Sequence, residues 1–160
     1  LVRWHYHLDS FYFTLLVKRS AAPTPGADCQ RTVEKIFALS VNNRQLGQYG
    51  EKIAAQFLER RGFIIIFRNW QTRWGEIDLV AEKDGRLHFV EVKTRSDARH
   101  GEGEEAIGRF KQQRLLGAAK MYIAKFQPVE KNYQIDSVSV LINVAAKTAK
   151  FRHLENIVAE

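Results

Sequence analysis

Apolar residues recur at intervals of three and four from Leu46 through Gly50, Ile53, Ala54, Phe57 and Leu58, the stripe of an amphipathic helix that Gly62 closes. Phe63-Ile64-Ile65-Ile66-Phe67 then runs apolar without a break, and its β-branched and aromatic content predicts a short buried strand. From Glu76 to Glu82 the period drops to two, with Ile77, Leu79 and Ala81 expected on one face. Lys83-Asp84-Gly85-Arg86 supplies an Asp-Gly hairpin turn, and Leu87 to Thr94 is the returning strand. A charged, glycine-bearing loop over 95–103 precedes a long helix from Glu104 to Phe126, which ends before Pro128. Tyr133 to Ile142 reads as a further strand and Ala149 to Leu154 as a last short one. The order αβββαβ(β), without internal repeats, predicts an α/β domain: a mixed central β-sheet flanked by helices.

The hairpin concentrates the charged residues that an apolar sheet does not need. With Asp84-Gly85 as the two-residue turn, Lys83 pairs with Arg86, and the ladder carries Asp78 opposite Glu91 and Glu76 opposite Lys93. Two acids facing each other repel, so a half-buried sheet must supply something positive between them. Mg²⁺, commonly held by one or two carboxylates with water and phosphate, meets that need. The plainer alternative is a solvated sheet face on which Lys93 is an ion-pair neighbour. Against it stand Leu87, Phe89 and Val90, which make the strand apolar enough to be central.

Both helices add to this. Glu51 lies on the border of the first apolar stripe, where a glutamate is ordinarily solvated. In the long helix Ile107, Phe110, Leu115, Ala118, Tyr122 and Phe126 define the stripe, with Lys111 in its middle and Arg114 near its edge. Cations in that position need an anionic neighbour. Two readings stay open for them, aliphatic stems packed with charges snorkelling to solvent, or phosphate contacts.

Four blocks in order, Gly47-Gln48-Tyr49-Gly50-Glu51-Lys52-Ile53-Ala54, Gly62 to Trp70, Gly75-Glu76-Ile77-Asp78-Leu79-Val80-Ala81 and Phe89-Val90-Glu91-Val92-Lys93-Thr94-Arg95, resemble the YraN-like family of small bacterial proteins. The resemblance spans about Gly47 to Val140 and includes Lys111-Gln112-Gln113-Arg114-Leu115. That family is largely uncharacterised and is assigned to the restriction-endonuclease-like PD-(D/E)xK superfamily, which includes archaeal Holliday-junction resolvases. The resemblance implies a restriction-endonuclease-like fold and a metal-dependent nuclease hydrolysing DNA phosphodiester bonds, with branched DNA as a refinement by analogy. It puts the motif Asp on Asp78, the Glu on Glu91 and the Lys on Lys93, while the acid of the first helix matches Glu51. Ile77 stands where the superfamily pattern has Pro. On this reading Asp78, Glu91 and the Val92 carbonyl hold Mg²⁺ or Mn²⁺, Lys93 orients water or stabilises developing charge, and Lys111 with Arg114 contacts phosphates. The rival of another class is a non-catalytic nucleic-acid-binding adaptor that keeps the nuclease fold.

The balance of 25 Lys and Arg against 18 Asp and Glu gives a net charge of +7, which favours a polyanionic partner such as DNA. Residues 47–160 carry 19 basic and 15 acidic side chains, so the part with clear periodicity is only modestly basic. Cys29 is the sole cysteine, and with five scattered histidines it argues against Fe–S or zinc chemistry. A reduced cytoplasm is the expected compartment. Phe11 to Val17 is too short to span a membrane, and Asp9 with Lys18-Arg19 does not suit a signal peptide. The stretch 20–30 has linker composition, and the only methionine is Met121, so residues 1–40 are expected to be an extension outside a nuclease-like domain of 41–160. Val41 is a candidate start read from a non-AUG codon. Resolvase-like action would ask for a symmetric homodimer.

Overall fold

The computed structural model describes residues 2–6, 12–17, 43–96, 107–128, 132–143 and 148–158. The expected boundary between residues 40 and 41 lies outside the described residues, as do residues 97–103 of the loop expected over 95–103. Among the described residues seven strands form one sheet in the order β1-β2-β7-β6-β5-β4-β3: β1 Val2–Tyr6, β2 Tyr12–Val17, β3 Ile64–Thr72, β4 Gly75–Lys83, β5 Arg86–Ser96, β6 Tyr133–Asn143 and β7 Thr148–Leu154. Only β5 and β6 run parallel, and the helix between them provides the crossover that such a pair requires. Among the described residues the helices are α1, Asn43–Arg60, and α2, Arg109–Phe126. From α1 to β7 the order is the one the hydrophobic pattern predicts, in a mixed α/β sheet. Strands β1 and β2 extend this sheet, with Phe13 opposite Phe151 of β7.

Alternate residues of β5 enter two cores on opposite faces of the sheet. Val90 joins the α1 side with Ile53, Phe57, Leu58, Leu79, Val138 and Phe151, while Leu87 and Phe89 join the α2 side with Leu115, Ala118, Tyr122, Trp70, Val80 and Ile135. Gly62, at φ 86°, takes the left-handed conformation that ends α1 and releases the chain into β3.

Three expectations change. The apolar run 63–67 is not a buried strand: Phe63 is buried, but Ile64 is 64% exposed, and Ile66 and Phe67 are exposed too. Its strand is an edge of the sheet, which an apolar run cannot reveal by itself. Next, α2 begins at Arg109 rather than Glu104, because Gly108 at φ −57°, ψ 149° is extended and caps the helix without a side chain. Its stripe is narrower than expected: Leu115, Ala118, Ala119 and Tyr122 are buried, while Phe110 and Phe126 face solvent. Finally, Ile77 does not share a face with Leu79 and Ala81. It packs with Trp70 on the α2 side while they pack on the α1 side, so β4 breaks its alternation at Asp78.

Candidate active site

The break in β4 sets the position of the central carboxylate. The ladder between β4 and β5 runs in the expected hairpin register from Lys83–Arg86 to Leu79–Val90, one pair short of Asp78 and Glu91. At that level Asp78 Oδ2 accepts a hydrogen bond from the Val92 N–H at 2.6 Å, so its side chain takes the place of the next ladder bond. On the other flank, the register that pairs Arg68 with Leu79 and Trp70 with Ile77 puts Asn69 across from Asp78. Asn69 is left-handed at φ 55°, a conformation asparagine tolerates better than most residues. Both neighbours of Asp78 therefore depart from regular pairing at one level of the sheet.

Glu91 follows Val90 on β5 and faces α2, where Lys111 Nζ lies 3.0 Å from its Oε1. Its other oxygen, Oε2, is buried without a hydrogen-bond partner. Glu51, half-buried on α1, accepts a hydrogen bond from the Asn69 side chain. Gly50 brings α1 close enough for this, since a Cβ there would collide with Thr94 of β5. Lys93 is exposed two residues beyond Glu91, and its positive charge reaches that carboxylate.

The electrostatics record the crowding. Burial, then the charge of Glu91, and more weakly that of Glu51, push the Asp78 carboxyl up to about 7, against the Val92 hydrogen bond and the charge of Lys111. Burial also raises Glu91, reinforced by Glu76, although Lys111 and Lys93 pull the other way. Glu51 is raised by burial and by Glu76 and Glu91, with the Asn69 hydrogen bond opposing. Such an acid set favours protons or cations. Among the described residues no three His, Cys, Asp or Glu side chains converge closely enough to hold a metal by themselves.

Sequence reasoning left Asn69 and Glu76 without a role in the site. The left-handed turn of Asn69 has no pattern signal, whereas Glu76 stood in the hairpin register. Arg114 does not point into the carboxylates: its Nε donates to the Trp74 carbonyl at 2.8 Å, fastening the β3–β4 turn to α2. Lys111 has the anionic neighbour its place in the stripe demanded, and this is Glu91.

A second polar cluster lies in the sheet, and the reading of the histidines as scattered does not hold for two of them. Asp136 on β6, fully buried, sits between His88 of β5 and His153 of β7, whose ring nitrogens are 2.7 and 3.0 Å from its Oδ2. Its Oδ1 accepts from Gln134 Nε2 at 2.8 Å and from the Asn156 N–H at 2.9 Å. Burial alone would raise this carboxyl, but the bonds from His153, His88, Asn156 and Gln134 together hold it well below the usual range.

The family model for an uncharacterised protein family, UPF0102, matches residues 50–140. Similar proteins include a UPF0102 protein of Dictyoglomus thermophilum, 37% identical over 116 residues that make up 72% of this chain and 98% of the relative. Another, from Syntrophomonas wolfei, is 42% identical over 114 residues, 71% of this chain and 97% of the relative. A third, from Roseiflexus castenholzii, is 38% identical over 117 residues, 72% of this chain and 94% of the relative.

Proposed function

The chain belongs to the uncharacterised protein family UPF0102, and from that premise we propose that it is a metal-dependent nuclease of restriction-endonuclease-like fold that hydrolyses DNA phosphodiester bonds. The observation that carries this reading is the pair of buried Asp78 and half-buried Glu91, both raised, with Glu91 Oε2 buried and lacking a hydrogen-bond partner. An orphaned carboxylate oxygen beside a second, protonatable carboxylate suits a hard divalent cation, which takes one or two carboxylates and completes its shell with water and phosphate oxygens. Asp78, Glu91 and the Val92 carbonyl would hold Mg²⁺ or Mn²⁺. Such an ion supplies polarisation of the phosphodiester and a more acidic bound water.

The chain's own groups prepare the site for an anion. Lys111 offsets the charge of Glu91, and Lys93, on the same strand, contributes a second positive charge where negative charge develops during attack. Glu51, tied to Asn69, borders the same carboxylates from α1 and would hold a water or a second ion.

The test is incubation of the full chain with linear, single-stranded and four-way-junction DNA in Mg²⁺ and in Mn²⁺. Glu91→Ala should abolish metal binding and cleavage while remaining folded, and Lys93→Ala should bind metal but turn over roughly 10²- to 10³-fold more slowly. Wild-type metal affinity and cleavage in Glu91→Ala would sink the nuclease reading. DNA binding by every variant with cleavage by none would make the chain a non-catalytic adaptor, a role to which the ready-made Lys111–Glu91 pair lends support.

A further inference from the structure

The β3–β4 turn holds a rigid, open aromatic surface beside the carboxylates. Its backbone is fixed from two sides. Thr72 Oγ1 accepts from the N–H groups of Trp74 and Gly75 at 3.1 and 3.2 Å, and Arg114 Nε donates to the Trp74 carbonyl. The indole rests on α2 at Gly117, where an added Cβ would lie 3.4 Å from Trp74 Cβ and Cγ. The indole thus adjoins α2 at Gly117, yet Trp74 stays 52% exposed. The Arg73 guanidinium lies over the ring, 5.5 Å from its centroid.

The same stripe of α2 carries a second open ring. Phe110, 74% exposed, lies seven residues before Gly117, two turns or about 10 Å along the helix, with Arg114 between them. Lys111, adjacent to Phe110, reaches from this stripe to Glu91. An isolated exposed aromatic calls for no explanation, but two in line, interleaved with arginines and ending at a lysine that touches the proposed site, form a pattern with a chemical meaning. Aromatic rings separated by cations suit a single strand, whose bases stack on the rings while its phosphates meet the cations.

We propose that Trp74 and Phe110, with Arg73 and Arg114, form a stacking track for unpaired DNA that leads to the Asp78–Glu91 carboxylates. The inference rests on the nuclease reading above and names its substrate class: DNA with an unpaired stretch next to the scissile phosphate. Fully paired duplex hides its base faces and gains nothing from this track.

The test measures binding of a fluorescently labelled oligo-dT to the full chain by anisotropy, in EDTA, so that neither metal nor cleavage enters. Trp74→Ala and Phe110→Ala should each weaken binding roughly five- to a hundred-fold, and Trp74→Phe should keep most of it. An abasic strand of equal length should bind wild type about as weakly as oligo-dT binds Trp74→Ala. Indole emission should be quenched by oligo-dT in wild type and much less in Trp74→Phe. Equal affinity for abasic and thymine strands, or unchanged affinity in Trp74→Ala and Phe110→Ala, overturns the proposal; tighter binding of oligo-rU moves the substrate to RNA and overturns it as stated. Oligo-dT binding that depends on Trp74, in a protein that cleaves no DNA, would defeat the nuclease reading and leave the track standing. Equal cleavage of plain duplex and of duplex bearing a single-stranded flap would defeat the track alone.

Discussion

Asp78 works against the stability of the fold that holds it. Its carboxyl sits near 7 in the folded chain and near the ordinary aspartate value of about 3.9 when unfolded, so between those values the folded state holds the extra proton. The stability of the metal-free protein should therefore fall as pH rises from about 4 to about 7 and level off above. Asp78→Asn keeps an acceptor for the Val92 N–H and removes the titration, so its stability should vary less with pH and exceed that of wild type at neutral pH, by up to about 4 kcal/mol. Urea unfolding at both ends of that window checks this, and a slope as steep in Asp78→Asn as in wild type would refute it. The chemical character of this residue was legible in the hairpin spacing, because a two-residue turn fixes which side chains approach. Its hydrogen bond to Val92 was not, since the ladder ends one pair early and periodicity assumes that it continues.

At the scale of elements, the contact between α1 and β5 depends on one missing methyl. A Cβ on Gly50 would lie within 2.7 Å of Thr94 Cβ and Cγ2 and closer still to Oγ1. Gly50→Ala should gain up to about 1 kcal/mol in helix propensity and lose more to overpacking, for a net destabilisation of roughly 1–2 kcal/mol. Denaturant unfolding of that variant is the measurement, and a stability equal to or above wild type would contradict this packing account. The helices, the hairpin and the two last strands were readable because their signals are local: a period of three to four, an Asp-Gly turn, a β-branched run between breakers. The exposure of Ile64 and Ile66 was not, because an apolar run reads the same in the middle of a sheet and at its edge. The switch of Ile77 to the α2 core escapes for a related reason, as a strict period of two has no place for an irregularity.

The whole molecule is tied together where β5, β6, β7 and the C-terminal segment meet at Asp136. His88 and His153 are far apart in sequence, and nothing in either local pattern announces that they share one carboxylate oxygen. Asp136 is depressed in the folded state, so its contribution to stability is complete above its unfolded value of about 4 and is lost as pH falls below it. Asp136→Asn should cost roughly 3–5 kcal/mol at neutral pH, since it leaves buried ring nitrogens facing an amide, and should flatten the loss of stability below about pH 4. Circular dichroism with denaturant across the acid range reads both effects. Full neutral-pH stability in that variant would show the network to be incidental.

The outer edge of β3 bears on how the protein behaves in a crowd. Among the described residues no strand pairs with its outer side along Ile64-Ile65-Ile66-Phe67, an uncharged window bounded by Arg61 and by the Arg68–Glu59 ion pair. Short stretches of this kind nucleate cross-β assembly when two copies meet edge to edge, and flanking charges act mainly by slowing that encounter. Solubility then becomes a kinetic property set by concentration and ionic strength, because salt that screens Arg61 and Arg68 lowers the barrier to nucleation without loosening the native core.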